Sequence, residues 1–229
     1  MRKKEISLIL DVETAGRNSD ETLVYDVGFT ACERLGGLVV DSGSFIVADV
    51  FYGLPELMST AYYGNKVPYY NKAIYFSEHE VKTFEEVKNI LARVVEKYDI
   101  KRVYAYNCSF DVNALNGTSK FFGLGAKFFP RKLQYCDIWH MSCQTICNTE
   151  KYRKFAEKNG FVSAKGNIQT GAEVVYRYLI NEVSFKESHT GLEDVKIESS
   201  ILQAVLKRKK KVSEKINTHC WKIPQRKRG

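Results

Sequence analysis

An apolar run early in the sequence ends at a pair of acidic residues. Residues 5–11 are mostly apolar, show no helical period and end at Asp11, and Glu13 follows two positions later. This pattern predicts a buried β-strand. Because side chains alternate along a strand, Asp11 and Glu13 are expected on the same face. Two carboxylates side by side favour a bound cation, and hard oxygen ligands suit Mg²⁺ or Mn²⁺.

The rest of the pattern predicts an α/β fold in which helices flank a mixed sheet. Extended stretches at about 23–33 and 38–48 are separated by a Gly-Gly pair typical of a hairpin turn, so the first three strands are antiparallel. Further strands at about 102–106 and 133–136 alternate with helices. The predicted helices cover residues 83–98, 111–122, 138–147, 150–158, 170–182 and 190–208.

Residues 49–80 interrupt this pattern and are rich in aromatic side chains. Their poor periodicity predicts an insertion of irregular short helices and loops. Aromatic residues near an active site can stack nucleobases, and they also commonly pack a small subcore. We hypothesise that this insertion carries substrate specificity.

Length and charge indicate one folded body with a basic tail. The 229 residues are 44% hydrophobic and 27% charged, which suits one good core. Residues 207–229 hold ten Lys or Arg and one acid, which leaves residues 1–206 with 25 basic and 26 acidic residues. Such a tail suits contact with nucleic acid or another polyanion, and it is equally typical of a solvated terminus. We therefore predict one folded domain at 1–206, with the insertion at 49–80, and a basic C-terminal tail at 207–229.

Membrane and secreted classes of protein do not fit the composition. No apolar run approaches the ~18 residues of a membrane span, and Asp11 interrupts the apolar stretch that follows the basic residues 1–4. Six irregularly spaced cysteines do not make a disulfide framework. We expect a reducing, cytoplasmic setting and no membrane partner.

Three further polar residues lie where catalytic groups are often found. Asp111 follows a predicted buried strand at the start of a helix, where an aspartate commonly serves as the N-cap. His189 and Asp194 lie immediately before and within the last predicted helix, where a capping segment with a surface histidine is the simpler explanation. Each of these residues, taken alone, has a structural explanation.

Taken in order along the chain, three short motifs resemble those of the DnaQ-like (DEDDh) 3′–5′ exonuclease family. The first is Asp11-x-Glu13, the second an Asn-x-x-x-Asp motif that ends at Asp111. The third runs from His189 to Asp194 with four residues between them. The order, the spacing and the presence of all five acidic and histidine positions make this resemblance specific.

The contexts of the motifs are also similar to the family pattern, over residues 6 to about 206. Tyr106 departs from it, because the second motif usually has a histidine at this position. Thr14 matches a family residue near the terminal nucleotide, and Asn107 matches a position of the second motif. The resemblance implies substrate contacts for both, although Asn107 would equally satisfy a local turn.

The resemblance implies that four carboxylates hold two divalent cations, Mg²⁺ or Mn²⁺. These are Asp11, Glu13, Asp111 and Asp194, and His189 is then the general base. Phosphodiester hydrolysis needs charge stabilisation at the attacking and leaving oxygens, and two cations about 4 Å apart supply it at both. A histidine has a pKa near neutrality and can take a proton from the attacking water.

The resemblance further implies a ribonuclease H-like fold with a five-stranded mixed sheet. The expected activity is hydrolysis at the 3′ end of single-stranded or frayed nucleic acid, DNA favoured over RNA, with release of nucleoside 5′-monophosphates. The type resembled is the stand-alone exonuclease of bacteria and phages, and a separate polymerase is a further candidate partner. Two alternatives stay open: a catalytically silent nucleic-acid or protein-binding module with the same fold, and an RNA-trimming exoribonuclease. The latter differs in contacts to the 2′-hydroxyl.

A stripe of four cysteine and histidine residues suggests a second metal site. The spacing places them on one helix face that rises about 16 Å, whereas zinc gathers its ligands within roughly 2.3 Å. One helix cannot supply all four ligands, so at most one adjacent pair could bind zinc with partners from elsewhere. A buried stripe of small side chains is the alternative, and Asp137 is expected to be an N-cap. The stripe consists of Cys136, His140, Cys143 and Cys147.

Overall fold

A mixed β-sheet forms the centre of the molecule in the computed structural model, which describes residues 4–16, 22–77, 79–129, 132–208 and 211–225. The strands are β1 (Ile6–Ala15), β2 (Leu23–Glu33), β3 (Val39–Val47), β4 (Glu80–Lys82), β5 (Arg102–Ala105) and β6 (Gln134–Asp137). Their spatial order is β4-β3-β2-β1-β5-β6, so β1 lies in the interior of the sheet.

The first three strands are antiparallel, as predicted, and β5 and β6 follow in parallel to β1. The sequence predicted five strands, whereas the described part of the chain has six. The additional strand is β4, which pairs in parallel with β3 at the sheet edge. It was missed because three residues are too few to show alternation, and two of them, Glu80 and Lys82, are charged.

Helices pack on the sheet and follow the predicted pattern closely. The periodic stretch after residue 83 forms a helix because Thr83 and Glu86 make a capping box and Leu91 lies on its buried apolar face. Within the described ranges, no helix combines the length and apolar character that crossing a membrane would require. The α-helices are α1 (Ala48–Phe51), α2 (Pro55–Met58), α3 (Val67–Tyr75), α4 (Phe84–Lys97), α5 (Cys108–Phe121), α6 (Ile138–Gln144), α7 (Glu150–Lys158), α8 (Ala172–Ile180) and α9 (Gly191–Leu206), with short 3₁₀ helices at Gly64–Lys66 and Cys220–Lys222.

The alternation of side chains along β1 separates two hydrophobic cores. Leu8 and Leu10 pack with residues of α4 and α5 on one side of the sheet. Ile9 packs with residues of α6, α8 and α9 on the other side. Asp11 and Glu13 have the same parity as Ile9, so the strand presents both carboxylates towards the side that α9 covers.

The inserted segment 49–80 is more regular than predicted. It contains α2, α3, the 3₁₀ helix Gly64–Lys66 and most of α1, and it ends at the first residue of β4. Tyr70 of α3 is fully buried, and its ring packs edge-on against Tyr25 of β2 and Phe51 of α1. Part of the aromatic content therefore builds the core, which was one of the two interpretations of this segment.

Residues 211–225 lie against the folded body. Glu214 forms an ion pair with Arg34, and Cys220 is fully buried. The described part of the predicted tail is therefore attached to the domain, while the boundary at residue 206 stays a prediction. The basic residues of that tail at 209–210 and 226–229 lie outside the described residues.

Candidate active site

A close contact between two glycines places the start of α9 beside the acidic end of β1. Gly28 of β2 pairs with Asp11 in the sheet register. A Cβ atom on Gly28 would lie 2.0 Å from the carbonyl carbon of Gly191, the first residue of α9. Only a residue without a side chain allows this approach. As a result, the first turn of α9, which carries Asp194, lies over the strand that carries Asp11 and Glu13.

Asp111 joins these residues from α5, the helix that follows β5, and β5 is the parallel neighbour of β1. It lies in the first turn of α5 and is only 2% exposed. The N–H of Val12 donates to its Oδ1 at 3.2 Å, so the Asp111 carboxyl is attached to β1 between Asp11 and Glu13. Asp111 is not the N-cap of α5, because that position is occupied by Asn107. The capping explanation for Asp111 is therefore wrong.

His189 lies beside Glu13 and Asp194. Ligand atoms of these three side chains all lie within 4.8 Å of one another. The backbone N–H of His189 also donates to the carboxyl of Asp194. The surface-histidine interpretation is wrong in part, because the imidazole is largely buried and faces acidic groups. The structure thus brings together the five residues of the three sequence motifs, four of them acidic.

Burial raises the pKa of every carboxyl in this group. The pKa of Glu13 rises to about 9, and those of Asp111 and Asp194 rise to about 8. The pKa of Asp11 also lies well above its ordinary value. Burial is the largest cause in each case, and for Asp11, Glu13 and Asp194 neighbouring carboxylates are the next largest. So many carboxylates cannot all stay ionised at neutral pH without compensating positive charge.

The side chains of the cluster fit divalent cations. Oδ1 of Asp194 is buried and has no hydrogen-bond partner among the described residues. A buried carboxylate oxygen without a partner is costly, and cation coordination would satisfy it. All the available donors except the His189 nitrogens are hard oxygens, the set that Mg²⁺ and Mn²⁺ prefer.

The imidazole of His189 is held by its surroundings. Its backbone is left-handed, with φ 54°, in a segment without regular structure. Its ring stacks on that of Tyr63 with centroids 4.1 Å apart and an interplanar angle of 11°. Burial lowers its pKa below the ordinary value, although Glu173 opposes this shift. Nδ1 of His189 lies 3.9 Å from Oε2 of Glu187.

Thr14 and Asn107 lie at the edges of the cluster. Thr14 is half-buried at the point where the register between β1 and β2 shifts. Asn107 is left-handed, with φ 64°, and its N–H donates to Oδ1 of Asp137 at 3.3 Å. An asparagine tolerates this backbone well, so the turn accounts for the residue type. Substrate contacts by both residues stay predictions.

Sequence reasoning missed three acidic residues of the site. Glu198 of α9 is 2% exposed and is the neighbouring charge that most raises the pKa of Asp11. Asp26 is fully buried and pairs with Glu13 across β1 and β2. Asp26 interrupts an apolar run, which is the same signal that identified Asp11, whereas Glu198 stands among polar residues of α9 and carries no such signal. Glu187 is the third, and its pKa rises to about 7 through burial.

The cysteine and histidine stripe does not lie on one helix face, because only His140 and Cys143 belong to α6, while Cys136 lies in β6 and Cys147 follows the helix. The three cysteines are buried in the core. Asp137 is the N-cap of α6, as predicted, and accepts hydrogen bonds from the N–H groups of Trp139 and His140. Nδ1 of His140 lies 2.7 Å from the backbone oxygen of Lys215. Among the described residues, neither group that could hold a metal ion includes a cysteine.

Comparison with known proteins identifies the fold. No protein-family model and no curated protein matches the sequence. Solved structures do match, among them Escherichia coli exonuclease I with a 5cy-dT13 oligonucleotide, at 11% identity and a TM-score of 0.55 over 90% of this chain. This chain spans only 41% of that protein.

Two further nucleases have similar structures. The nuclease domain of 3′hExo, a DEDDh family member bound to rAMP, matches at 13% identity and a TM-score of 0.54, over 94% of this chain and 98% of that one. Cell-death related nuclease 4 (CRN-4) matches at 15% identity and a TM-score of 0.52, over 91% of this chain and 66% of that one. Identities this low show the fold alone. The chain therefore has a mixed α/β, ribonuclease H-like fold, with six described strands.

Proposed function

We propose that the protein is a metal-dependent 3′–5′ exonuclease that releases nucleoside 5′-monophosphates from single-stranded or frayed nucleic acid. The observation that carries this proposal is the convergence of four carboxyls, three of them buried and that of Asp11 half-buried, with a histidine at the end of β1. A silent binding module would not need to keep so costly a group of like charges buried. The fold shared with solved nucleases supports the same conclusion.

Four residues would hold two divalent cations, Mg²⁺ or Mn²⁺. When bound, such ions supply charge stabilisation at the attacking and leaving oxygens of the phosphodiester. The carboxyl of Asp111 accepts the N–H of Val12 on β1, and Asp194 lies in the first turn of α9. The proposed ligands are therefore carried by β1 and by helices that pack against it. The four residues are Asp11, Glu13, Asp111 and Asp194.

His189 would act as the general base. Its lowered pKa keeps the imidazole neutral at pH 7, which is the form that accepts a proton from water. The ring lies close to Glu13 and Asp194, where the scissile phosphate would be bound. Glu187 lies 3.9 Å from Nδ1 and would stabilise the imidazolium after the proton is transferred.

The polymer is proposed to be DNA in preference to RNA. The exonuclease I structures contain DNA oligonucleotides, whereas that of 3′hExo contains rAMP. Five basic residues of the tail are described and would strengthen binding to the polyanion in a salt-dependent manner. They are Lys207, Arg208, Lys211, Lys215 and Lys222. A separate polymerase as partner stays a prediction.

The first experiment compares degradation of 5′-labelled DNA and RNA of matched sequence in Mg²⁺, Mn²⁺ or EDTA. We expect ladders that shorten from the 3′ end, stop in EDTA and are nearly absent for Asp11→Ala and His189→Ala. Glu150→Gln is the matched control, because Glu150 is an exposed acid paired with Lys154 far from the cluster. No shortening of either polymer in any metal would exclude the proposal and favour a binding module.

A further inference from the structure

His189 depends on side-chain contacts from outside its own segment for its position. Residues 185–190 have no regular secondary structure, between the end of α8 at Ile180 and the start of α9 at Gly191. A histidine in the left-handed region is uncommon and is held there only where neighbouring groups determine it. The inserted segment 49–80 supplies two such groups, Tyr63 and Tyr70.

Tyr63 contacts the imidazole ring directly. The two rings are nearly parallel, at 11°, with centroids 4.1 Å apart, so one face of His189 is covered by the tyrosine. Tyr62 packs edge-on against Tyr63 with centroids 4.8 Å apart. The Tyr63 ring is thus fixed between a neighbouring tyrosine and the histidine, and the plane of the imidazole is fixed with it.

Tyr70 contacts the backbone of the same segment. Its hydroxyl donates to Oδ2 of Asp26 at 2.9 Å and lies 3.4 Å from the backbone oxygen of His189. The same Oδ2 accepts the N–H of Gly191 at 2.9 Å. The backbone on both sides of Thr190 is therefore tied to one buried carboxyl of β2 and one buried hydroxyl of α3.

We propose that Tyr63 and Tyr70 are positioning residues for His189: Tyr63 sets the plane of the imidazole, and Tyr70 with Asp26 sets the backbone that carries it. This inference rests on the proposed function for its catalytic consequence, since a general base must be held in the correct geometry. It adds a second role for segment 49–80 beside the hypothesis that this insertion carries substrate specificity. Tyr63 acts through His189, while Tyr62 and Tyr75, at 87% and 82% exposed, remain accessible to a ligand.

The first test measures the ring position without any activity. The chain has four histidines, so a sample with labelled histidine rings gives few NMR signals, and His189→Gln identifies that of His189. We expect the His189 ring signal to carry a ring-current shift that Tyr63→Leu removes and Tyr63→Phe keeps. Tyr75→Leu is the matched control and leaves the signal unchanged, because Tyr75 is exposed and contacts Phe76. An unchanged His189 signal in folded Tyr63→Leu would overturn the role of Tyr63.

The second test is a double-mutant cycle on 3′-end hydrolysis. In the wild-type background, Tyr63→Leu should lower kcat between about tenfold and 100-fold with KM nearly unchanged, and Tyr63→Phe should restore kcat. In the His189→Ala background, Tyr63→Leu should have no further effect on the residual rate. A raised KM, or an equal loss of rate in both backgrounds, would show that Tyr63 binds substrate and would overturn the inference.

Tyr70→Phe tests the second half of the proposal, because it removes the hydroxyl and keeps the buried ring. We expect a fall in kcat smaller than that of Tyr63→Leu and a shifted His189 signal. The same kcat and the same signal as wild type would contradict the role of Tyr70. An inactive wild type would refute the proposed function, whereas the NMR comparison would still decide whether the two tyrosines position His189.

Discussion

The two sides of the candidate site are held in different ways. The carboxylates lie on β1, α5 and α9, whose backbones belong to the centre of the fold. His189 lies in a segment without regular structure and is held by Tyr63 and Tyr70 from an insertion. The charge of the site is therefore set by the core, whereas the position of His189, the proposed general base, depends on side chains of the insertion. Substitutions on the two sides should change different properties.

The largest effect is expected for Asp194→Asn on the carboxylate side. The substitution removes a proposed cation ligand, and loss of one member of a catalytic unit costs on the order of 10³-fold or more in kcat. Without metal, the same variant should be at least as stable as wild type, because one buried like charge is removed. Rates of 3′-end hydrolysis and calorimetry in EDTA measure the two effects.

The control for Asp194→Asn is Glu150→Gln, which removes an exposed charge on α7 and should change neither property. A variant that lost activity because it unfolded in EDTA would contradict the view that these carboxylates are kept for function at a cost in stability.

The next largest effect is expected for Gly28→Ala, because Gly28 contacts Gly191 at the start of α9. Gly28→Ala would place a methyl group 2.0 Å from backbone atoms of Gly191, and the backbone cannot yield cheaply. We expect a loss of about 3 kcal/mol in the free energy of unfolding, the upper end for overpacked sites. Activity should fall too, because α9 carries Asp194 and follows His189 directly.

Gly117→Ala is the matched control for Gly28→Ala. Gly117 lies within α5, and a Cβ there would meet nothing within 4 Å. Alanine in a helix should stabilise the protein by up to about 1 kcal/mol. Chemical denaturation of both variants gives the comparison, and equal effects would show that the glycine contact does not position α9.

The carboxylate side could largely be predicted from the sequence because its signals are local. Acids that end or interrupt apolar runs, as at Asp11, show which strand end carries charge, and the helical period after residue 83 identified α4. The contact of Tyr63 with His189 joins positions far apart in the chain, and no local pattern reports it. Asp26 did carry the local signal, since it interrupts an apolar run, whereas Glu198 is followed by two serines and carried none. Only the packing of α9 and β2 shows that both acids reach the cluster.

In the absence of metal, the stability of the protein should depend on pH, and this effect should be smaller than that of Gly28→Ala. The pKa values of Glu13, Asp111 and Asp194 are higher in the folded protein than in the unfolded chain, so the folded state binds more protons at neutral pH. The free energy of unfolding is therefore highest below the ordinary pKa values of these carboxyls, 3.8 to 4.5. It falls as pH rises from there through the folded-state pKa values of about 8 to 9.

In EDTA, we expect Tm to fall by roughly 4–8 °C between about pH 6 and pH 9, as a loss of ~2 kcal/mol would give in a domain of this size. Mg²⁺ or Mn²⁺ should restore more stability at the higher pH, because ionised carboxylates bind the cation. His189→Gln should leave the fall of Tm with pH unchanged. That result would show that the carboxylates, and not His189, cause the fall. A Tm that rises with pH in EDTA would contradict the raised pKa values.

The smallest effect is expected for Glu198→Gln, which tests whether Glu198 also belongs to the residues proposed to hold the cations. Oε1 of Glu198 accepts the N–H of Tyr106 at 3.0 Å, whereas Oε2 is buried without a partner among the described residues. Glutamine keeps the acceptor and removes the charge, so stability in EDTA should rise by about 1 kcal/mol with activity within a few-fold of wild type. Glu198→Leu, which leaves the Tyr106 N–H unpaired, should instead cost roughly 1–3 kcal/mol. If Glu198→Gln lost as much activity as Asp194→Asn, Glu198 would belong with the residues proposed to hold the cations. The cation site would then extend one turn further along α9.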